Sequence, residues 1–453
     1  LILSSNSHTT SEVRFLAATN PEDDWTLVAP RVQDREYDLG HQGDRFLIRV
    51  NDTGRNSRLV TAPIADPTPN QWEELVPHRD DVMLEGVDCF ADHIVLSERT
   101  AGLPRIMVLP ASGDPTPLPF PEPICEAALG PNLMYDTSTL RYNFQSLVTP
   151  NSVFDYDVAT ASTVLRKQTE VLGGYDSSQY RSERSEAIAA DGTAIPVSIV
   201  SRAGRPRDGT APLLLEGYGS YGITYPIGFS PNRLSLLDRG VAIAIAHIRG
   251  GGELGKPWHD GGRMEQKMNT FTDFIAAAEH LIATGWTSPS GLAIEGGSAG
   301  GLLMGAVVNL RPDLLGAVMS HVPFVDVINT MSDDTLPLTV GEYEEWGNPA
   351  VEEQFRWMRA YCPYTNLRPG AYPPMLVRTA FNDSQVMYWE PAKYVARLRT
   401  LKTDTHPLLL VTNMGAGHGG ASGRYDRLRE IALDYAFLLT TLGAEVAEDS
   451  NQK

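Results

Sequence analysis

Cysteine is scarce: Cys89, Cys125 and Cys362 are the only three in 453 residues, and they lie far apart. That excludes a dense disulfide framework and a cysteine-based zinc motif, and it points to a reducing compartment such as the cytoplasm. Long apolar runs are missing too. None approaches the roughly 18 residues that a membrane-spanning helix requires, so no membrane partner is expected. Positive charge is in deficit, with 37 Lys and Arg against 56 Asp and Glu and a formal net charge of −19. A surface short of cations argues against nucleic acid and against anionic membranes as partners. The deficit is uneven. The first 180 residues hold 26 acidic and 13 basic side chains, the rest 30 and 24. At Leu1-Ile2-Leu3-Ser4 there is no initiator Met, no basic segment and no long apolar segment. The start therefore reads as a chain entered in the middle, not as a signal peptide.

What is present is ordinary globular material, 42% hydrophobic and 21% charged, enough for a large core. Residues 1–165 read as short strands between Pro, Gly, Asp and Asn turns, with no long helical period. Predicted strands include Val13–Ala17, Arg45–Val50, His93–Glu98, Arg105–Leu109, Arg141–Leu147 and Ser152–Tyr156. Three of them recur about every 45 residues, a spacing that suits propeller blades; a β-sandwich is the alternative. Near residue 170 the pattern changes. A hairpin is predicted over Ser185–Arg202, turning at Asp191-Gly192. Apolar runs at Leu213–Glu216, Val241–His247, Leu292–Gly296, Ala317–Val322, Met375–Ala380 and Leu408–Thr412 then alternate with helical stretches. Those stretches are Asn269–Thr284, Ala299–Leu310, Tyr388–Leu401 and Tyr425–Leu442. Buried strands alternating with helices predict a mainly parallel sheet covered on both faces.

Gly296-Gly297-Ser298-Ala299-Gly300-Gly301 falls between a predicted strand and a predicted helix. That is the strand–turn–helix context of a nucleophile elbow, and the turn is too tight for large neighbours. Ser298 needs a base to take its proton. In this architecture an acid and then a histidine follow on loops after later strands. Asp383, after Met375–Ala380, and His418, among the glycines after Leu408–Thr412, occupy those slots. Asp326 also follows a strand but in the wrong slot, and His247 reads as structural. An oxyanion requires donors. The Ala299 N–H is one expected donor. Tyr218, in Glu216-Gly217-Tyr218-Gly219-Ser220-Tyr221-Gly222, reads equally well as a second donor or as a packed aromatic. By themselves Glu342, Glu344 and Glu345 read as an acidic, solvated helix start.

Together these segments resemble the prolyl oligopeptidase family of serine peptidases. Further matching segments are Arg249–Gly255, Val322–Asp326, Gly341–Pro349, Asn382–Val386 and Gly415–Gly420. The resemblance covers about residues 170–445, and the strand-rich half is similar to the later blades of the family's propeller. It implies an α/β-hydrolase catalytic domain over 171–453, preceded at 1–170 by an incomplete all-β propeller of about four of seven blades. It implies a Ser298–Asp383–His418 triad with Tyr218 as side-chain oxyanion donor. It further implies short peptide substrates, because a propeller lid gates the site against folded proteins. The Gly341–Pro349 segment is similar to that of the oligopeptidase B branch, which cleaves after Arg or Lys. Its acidic specificity residues fall on Glu342 and Glu344, with Tyr221 and Gln385 among the substrate-binding positions. Gln385 stands where the prolyl branch usually has an Arg. Tyr225–Phe229 carries no acid, so the resemblance does not extend to a second basic subsite.

The resulting expectation is a serine oligopeptidase acting on short basic peptides, with no metal or organic cofactor. An acylaminoacyl peptidase or esterase on the same fold is the alternative enzyme. A catalytically impaired fragment acting only as a binding scaffold is the alternative from another class.

Overall fold

The computed structural model describes residues 1–444. The chain forms two compact units, Leu1–Glu170 with Gly252–Trp258, and Val171–Gly251 with the chain from His259 onward.

The first unit contains four antiparallel sheets in sequence order. They are β1–β3 (Ile2–Asn6, Ser11–Phe15, Thr26–Leu27), β4–β7 (Tyr37–Gln42, Arg45–Val50, Arg58–Pro63, Glu73–Val76), β8–β11 (Val82–Cys89, His93–Thr100, Leu103–Pro110, Thr116–Pro117) and β12–β15 (Glu126–Leu129, Thr139–Gln145, Ser152–Asp157, Ser162–Gln168). Alternation along one strand shows how they pack, because successive side chains leave a strand on opposite faces. In β5, Phe46, Ile48 and Val50 join Val13, Val28 and Tyr37 from one side. Leu47, between them, joins Leu84, Ile94 and Leu96 on the other. The next interface is the aromatic cluster of Phe90, Tyr142, Phe144 and Tyr156. The two middle sheets are thus apolar on both faces and stack on their sequence neighbours, as propeller blades do and the two sheets of a sandwich do not. The repeat of about 45 residues marks the second strand of successive blades, β5, β9 and β13.

The second unit is built on an eight-stranded sheet. Its strands are β16 (Tyr180–Ile188), β17 (Ala194–Arg202), β18 (Leu213–Glu216), β19 (Ala242–Ala246), β20 (Leu292–Gly297), β21 (Ala317–His321), β22 (Met375–Ala380) and β23 (Leu408–Asn413). Their order is β16-β17-β19-β18-β20-β21-β22-β23, with the hairpin antiparallel and β19 to β23 parallel. Every residue of β18 and β19 is buried, which is why these strands read as continuous apolar runs with no alternation. The helix Ala299–Leu310 is buried on all sides from Ala299 to Val308 and packs on β20 and β21. The fold is that of an α/β hydrolase. Short helices absent from the predicted set fill the later loops, among them Thr339–Trp346 and Glu352–Tyr361. Among the described residues no helix is long and apolar enough to cross a membrane. All three cysteines are free.

Candidate active site

β20 ends in a strained turn. Ser298 sits at φ 58°, ψ −118°, a conformation sparsely populated by residues with a side chain. The backbone around it holds it there. The Ser298 N–H donates to the His321 carbonyl at 2.8 Å, and its own carbonyl accepts from Gly301, Leu302 and Phe324. Gly296 and Gly301 are required sterically. A Cβ on the first would lie 2.4 Å from the Gly300 carbonyl oxygen, and one on the second 2.4 Å from Pro323 Cβ. The turn therefore lifts the hydroxyl off the sheet at the N-terminus of Ala299–Leu310. There the first helical N–H groups, that of Ala299 included, have no intrahelical acceptor.

Asp383 and His418 come from the loops after β22 and β23. His418 Nδ1 donates to Asp383 Oδ2 at 2.7 Å. Asp383 Oδ1 accepts the backbone N–H groups of Gln385 and Val386, each at 2.9 Å. Burial pushes the Asp383 carboxyl up, but these donors outweigh it and hold the pKa below the ordinary carboxylate value. Asp383 is thus an ionised group that fixes the His418 tautomer. His418 and Ser298 line the same cavity of about 370 Å³, together with Glu295, His321, Arg378 and Asp434.

On the other side of Ser298 lies the loop after β18. The Tyr218 hydroxyl lies beside the Ser298 side chain. Burial and then the charges of Glu342 and Glu345 push its pKa up to about 12, so it remains a protonated donor near neutral pH. From Tyr218 a chain of rings runs to the acidic helix Thr339–Trp346, through Tyr221 at 6.3 Å and on to Trp346 at 5.5 Å. Glu342 Oε2 accepts from the Tyr221 hydroxyl at 2.6 Å and from Trp346 Nε1 at 2.7 Å. Glu344 Oε2 is buried with no hydrogen-bond partner among the described residues.

The three glutamates of this helix are not one solvated face. Glu345 is 3% exposed and pairs with His259 at 2.7 Å and Lys267 at 3.7 Å. Gln385 supports Asp383 through its backbone, and the residue itself is exposed. His247 bonds Ser198 in the core, and Asp326 is engaged by Lys393 and Asn329, so both are structural. Sequence reasoning missed Lys267 and His259. Neither sits in a recognisable motif, and each meets Glu345 only across some 80 residues of chain. Among the described residues, no group of three or more His, Cys, Asp or Glu is arranged to hold a metal ion.

Comparison with known proteins bears on this geometry. The profile of the Prolyl oligopeptidase family matches residues 227–445, and that of the Prolyl oligopeptidase, N-terminal beta-propeller domain matches residues 1–169. A dipeptidyl aminopeptidase BI of Pseudoxanthomonas mexicana is 45% identical over 98% of this chain and 61% of its own length. Protease 2 of Moraxella lacunata is 40% identical over 98% of this chain and 64% of its own. The closed form of oligopeptidase B from Trypanosoma brucei, with covalently bound antipain, superposes with a TM-score of 0.93 at 40% identity. It covers 98% of this chain and 64% of that one. The chain thus spans just over three fifths of the length of these relatives.

Proposed function

Because the chain belongs to the prolyl oligopeptidase family, whose members are serine-type peptidases, we propose that it hydrolyses short peptides on the carboxyl side of Arg or Lys. Ser298 Oγ attacks the scissile carbonyl and passes its proton to His418 Nε2. The oxyanion that forms accepts from the Ala299 N–H and the Tyr218 hydroxyl. As the C–N bond breaks, His418 gives that proton to the leaving amine, and the acyl group remains on Ser298. Water, deprotonated by His418, then attacks the ester. The carboxylic acid leaves and the proton returns to Ser298. Asp383 stays ionised throughout and stabilises the imidazolium. The observation that carries this reading is Ser298, held at φ 58°, lining one cavity with a His418 already bonded to Asp383 at 2.7 Å. Covalent capture of antipain by the Trypanosoma brucei relative supports a nucleophilic site.

The preference for a basic residue rests on the acidic helix. A buried carboxylate oxygen without a donor is costly, and Glu344 Oε2 has none among the described residues. A guanidinium would supply one, and its planar fork suits a carboxylate, with the Glu342 charge on the same helix adding to the attraction. A second reading is release of dipeptides from free N-termini, and the name of the 45% identical relative favours it. The three free cysteines support a reducing compartment, the cytoplasm. The test compares arginyl, lysyl, prolyl and acyl-ester chromogenic substrates, each with blocked and free N-termini, in wild type and Ser298→Ala. The proposal expects turnover of blocked arginyl and lysyl substrates by wild type alone. Arginyl turnover that survives in Ser298→Ala would refute the mechanism, and turnover confined to free N-termini would select the second reading.

A further inference from the structure

Lys267 lies at the entrance to the helix Met268–Ala283, and its side chain is 1% exposed. Its Nζ donates to the Gly219 carbonyl at 2.7 Å and to Ser220 Oγ at 2.8 Å. It is 3.7 Å from Glu345 Oε1 and lies 4.7 Å from the centre of the Trp346 ring. One ammonium therefore touches two segments that the proposed reaction uses for different purposes. Gly219 and Ser220 lie between Tyr218, the oxyanion donor, and Tyr221. Glu345 and Trp346 form the end of the helix that carries Glu342 and Glu344. The two segments are also joined directly, since Glu345 Oε1 accepts the Tyr221 N–H at 3.0 Å.

Burying an ammonium costs stability unless it is paired and hydrogen-bonded. Here burial lowers the Lys267 pKa to about 8, with Glu345 pulling it back up. Glu345 itself is held below the ordinary value. Burial raises it, but His259, Lys267 and the Tyr221 N–H outweigh that. A charge kept in the interior at such a cost, beside a reactive centre, is better explained by placement of the site than by stability.

We infer that Lys267 is a positioning residue that ties the oxyanion loop to the acidic helix, so that the placement of Tyr218 against the reacting carbonyl and of Glu342 and Glu344 against a basic side chain depend on one ammonium. The inference rests on the peptidase reading and deepens it. The groups facing Lys267 and its carboxylate are Glu345 and Glu342 on the acidic helix, Tyr218 and Tyr221 in the loop, His259 and Arg263 before the Lys267 helix, and Tyr361 on Glu352–Tyr361. Burial first pushes the three tyrosines far above neutral pH, followed by Glu342 and Glu345 for Tyr218 and Tyr221 and by Cys362 and Glu345 for Tyr361. Within this cluster that leaves Lys267 and His259 as the groups to separate by mutation.

The experiment is steady-state kinetics between pH 6 and 10 on a blocked arginyl amide and a neutral acyl ester. It uses wild type, Lys267→Met, Lys267→Met/Glu345→Gln, His259→Gln and, as control, Ser298→Ala. Loss of the ammonium should lower kcat on both substrates about tenfold to a hundredfold, as misplaced catalytic groups do. It should raise KM for the arginyl substrate alone. Wild type should lose kcat/KM as pH rises through about 8, and that alkaline limb should vanish in both Lys267 variants and persist in His259→Gln. The double variant leaves no unpaired carboxylate, so a folding failure of the single variant does not stall the test. The wild-type profile alone also decides, because a flat alkaline side overturns the inference. So does a limb that disappears with His259→Gln, or wild-type kcat and KM in a folded Lys267→Met. Any of these with Ser298→Ala inactive leaves the peptidase reading standing, whereas turnover by Ser298→Ala refutes that reading instead.

Discussion

The two units differ in net charge, and both bury part of it. The first 180 residues carry most of the acidic excess, some of it in outer Arg–carboxylate pairs such as Arg58 with Asp52 and Glu74, and some in buried carboxylates such as Glu98 under Arg79 and Asp155 under Arg141 and Arg166. The interior of the first unit is mainly aliphatic and aromatic side chains in period-two rows. The hydrolase unit is closer to neutral and, among the described residues, buries more ionised groups. Asp273 is sealed under Arg249, Glu345 faces Lys267 and His259, and Asp383 faces His418. Exposed pairs in high dielectric contribute little, while buried ones are costly unless fully bonded. The lesson is that net charge did not locate the chemistry. Buried charge narrowed the search, and the pairs of Asp273 with Arg249 and Asp326 with Lys393 show that a buried ion pair can also be structural.

The comparison can be broken at several points, taken from the strongest effect to the weakest. Asp383→Asn should keep the fold and lower kcat by about 10⁴, since the amide favours the wrong His418 tautomer; single-turnover acylation measures it. Tyr218→Phe removes one oxyanion donor and should lower kcat by about 10²–10³ with KM little changed. Lys267 gives the pH-dependent case. Its folded pKa of about 8 lies below the ordinary lysine value of 10.5, so charged burial opposes folding below pH 8 and that cost fades as pH climbs from 8 to 10.5. Urea unfolding should therefore show wild type gaining about 3 kcal/mol on Lys267→Met over that range. A difference that is constant with pH would mean the lysine is already neutral. At the weak end, Glu74→Gln removes an exposed partner of Arg58 and should shift stability by no more than about 0.5 kcal/mol, with kinetics unchanged. A loss of activity there would end the separation between surface and buried charge.

How much of this was legible follows the range of the physics. The elbow was readable because its constraint is local: Gly296 and Gly301 are dictated by atoms a few residues away or on the next strand. The parallel strands were readable because burial on both faces leaves unbroken apolar runs at β18 to β22. The blade repeat was readable because each blade repeats the same alternation. What stayed hidden depends on contacts between distant segments. Glu345 looks like its neighbours Glu342 and Glu344, and only the packing of Trp346, His259 and Lys267 around it separates the three. Tyr218 was balanced between donor and packed ring, and its place beside Ser298 is what the proposed donor role is argued from. The grouping of Gly252–Trp258 with the first unit left no mark in the composition.

The central proposal is that the half-buried Glu342 and Glu344 on Thr339–Trp346 receive the substrate's cation while the Ser298 machinery acts on any acyl group. The most direct measurement is the ratio of kcat/KM for a blocked arginyl amide to that for a neutral acyl ester, in wild type and in Glu342→Gln/Glu344→Gln. At about 1.5–3 kcal/mol for each charge-assisted bond, the ratio should fall by about 10² or more, with ester turnover unchanged. Equal losses on both substrates, or an unchanged ratio, would contradict it.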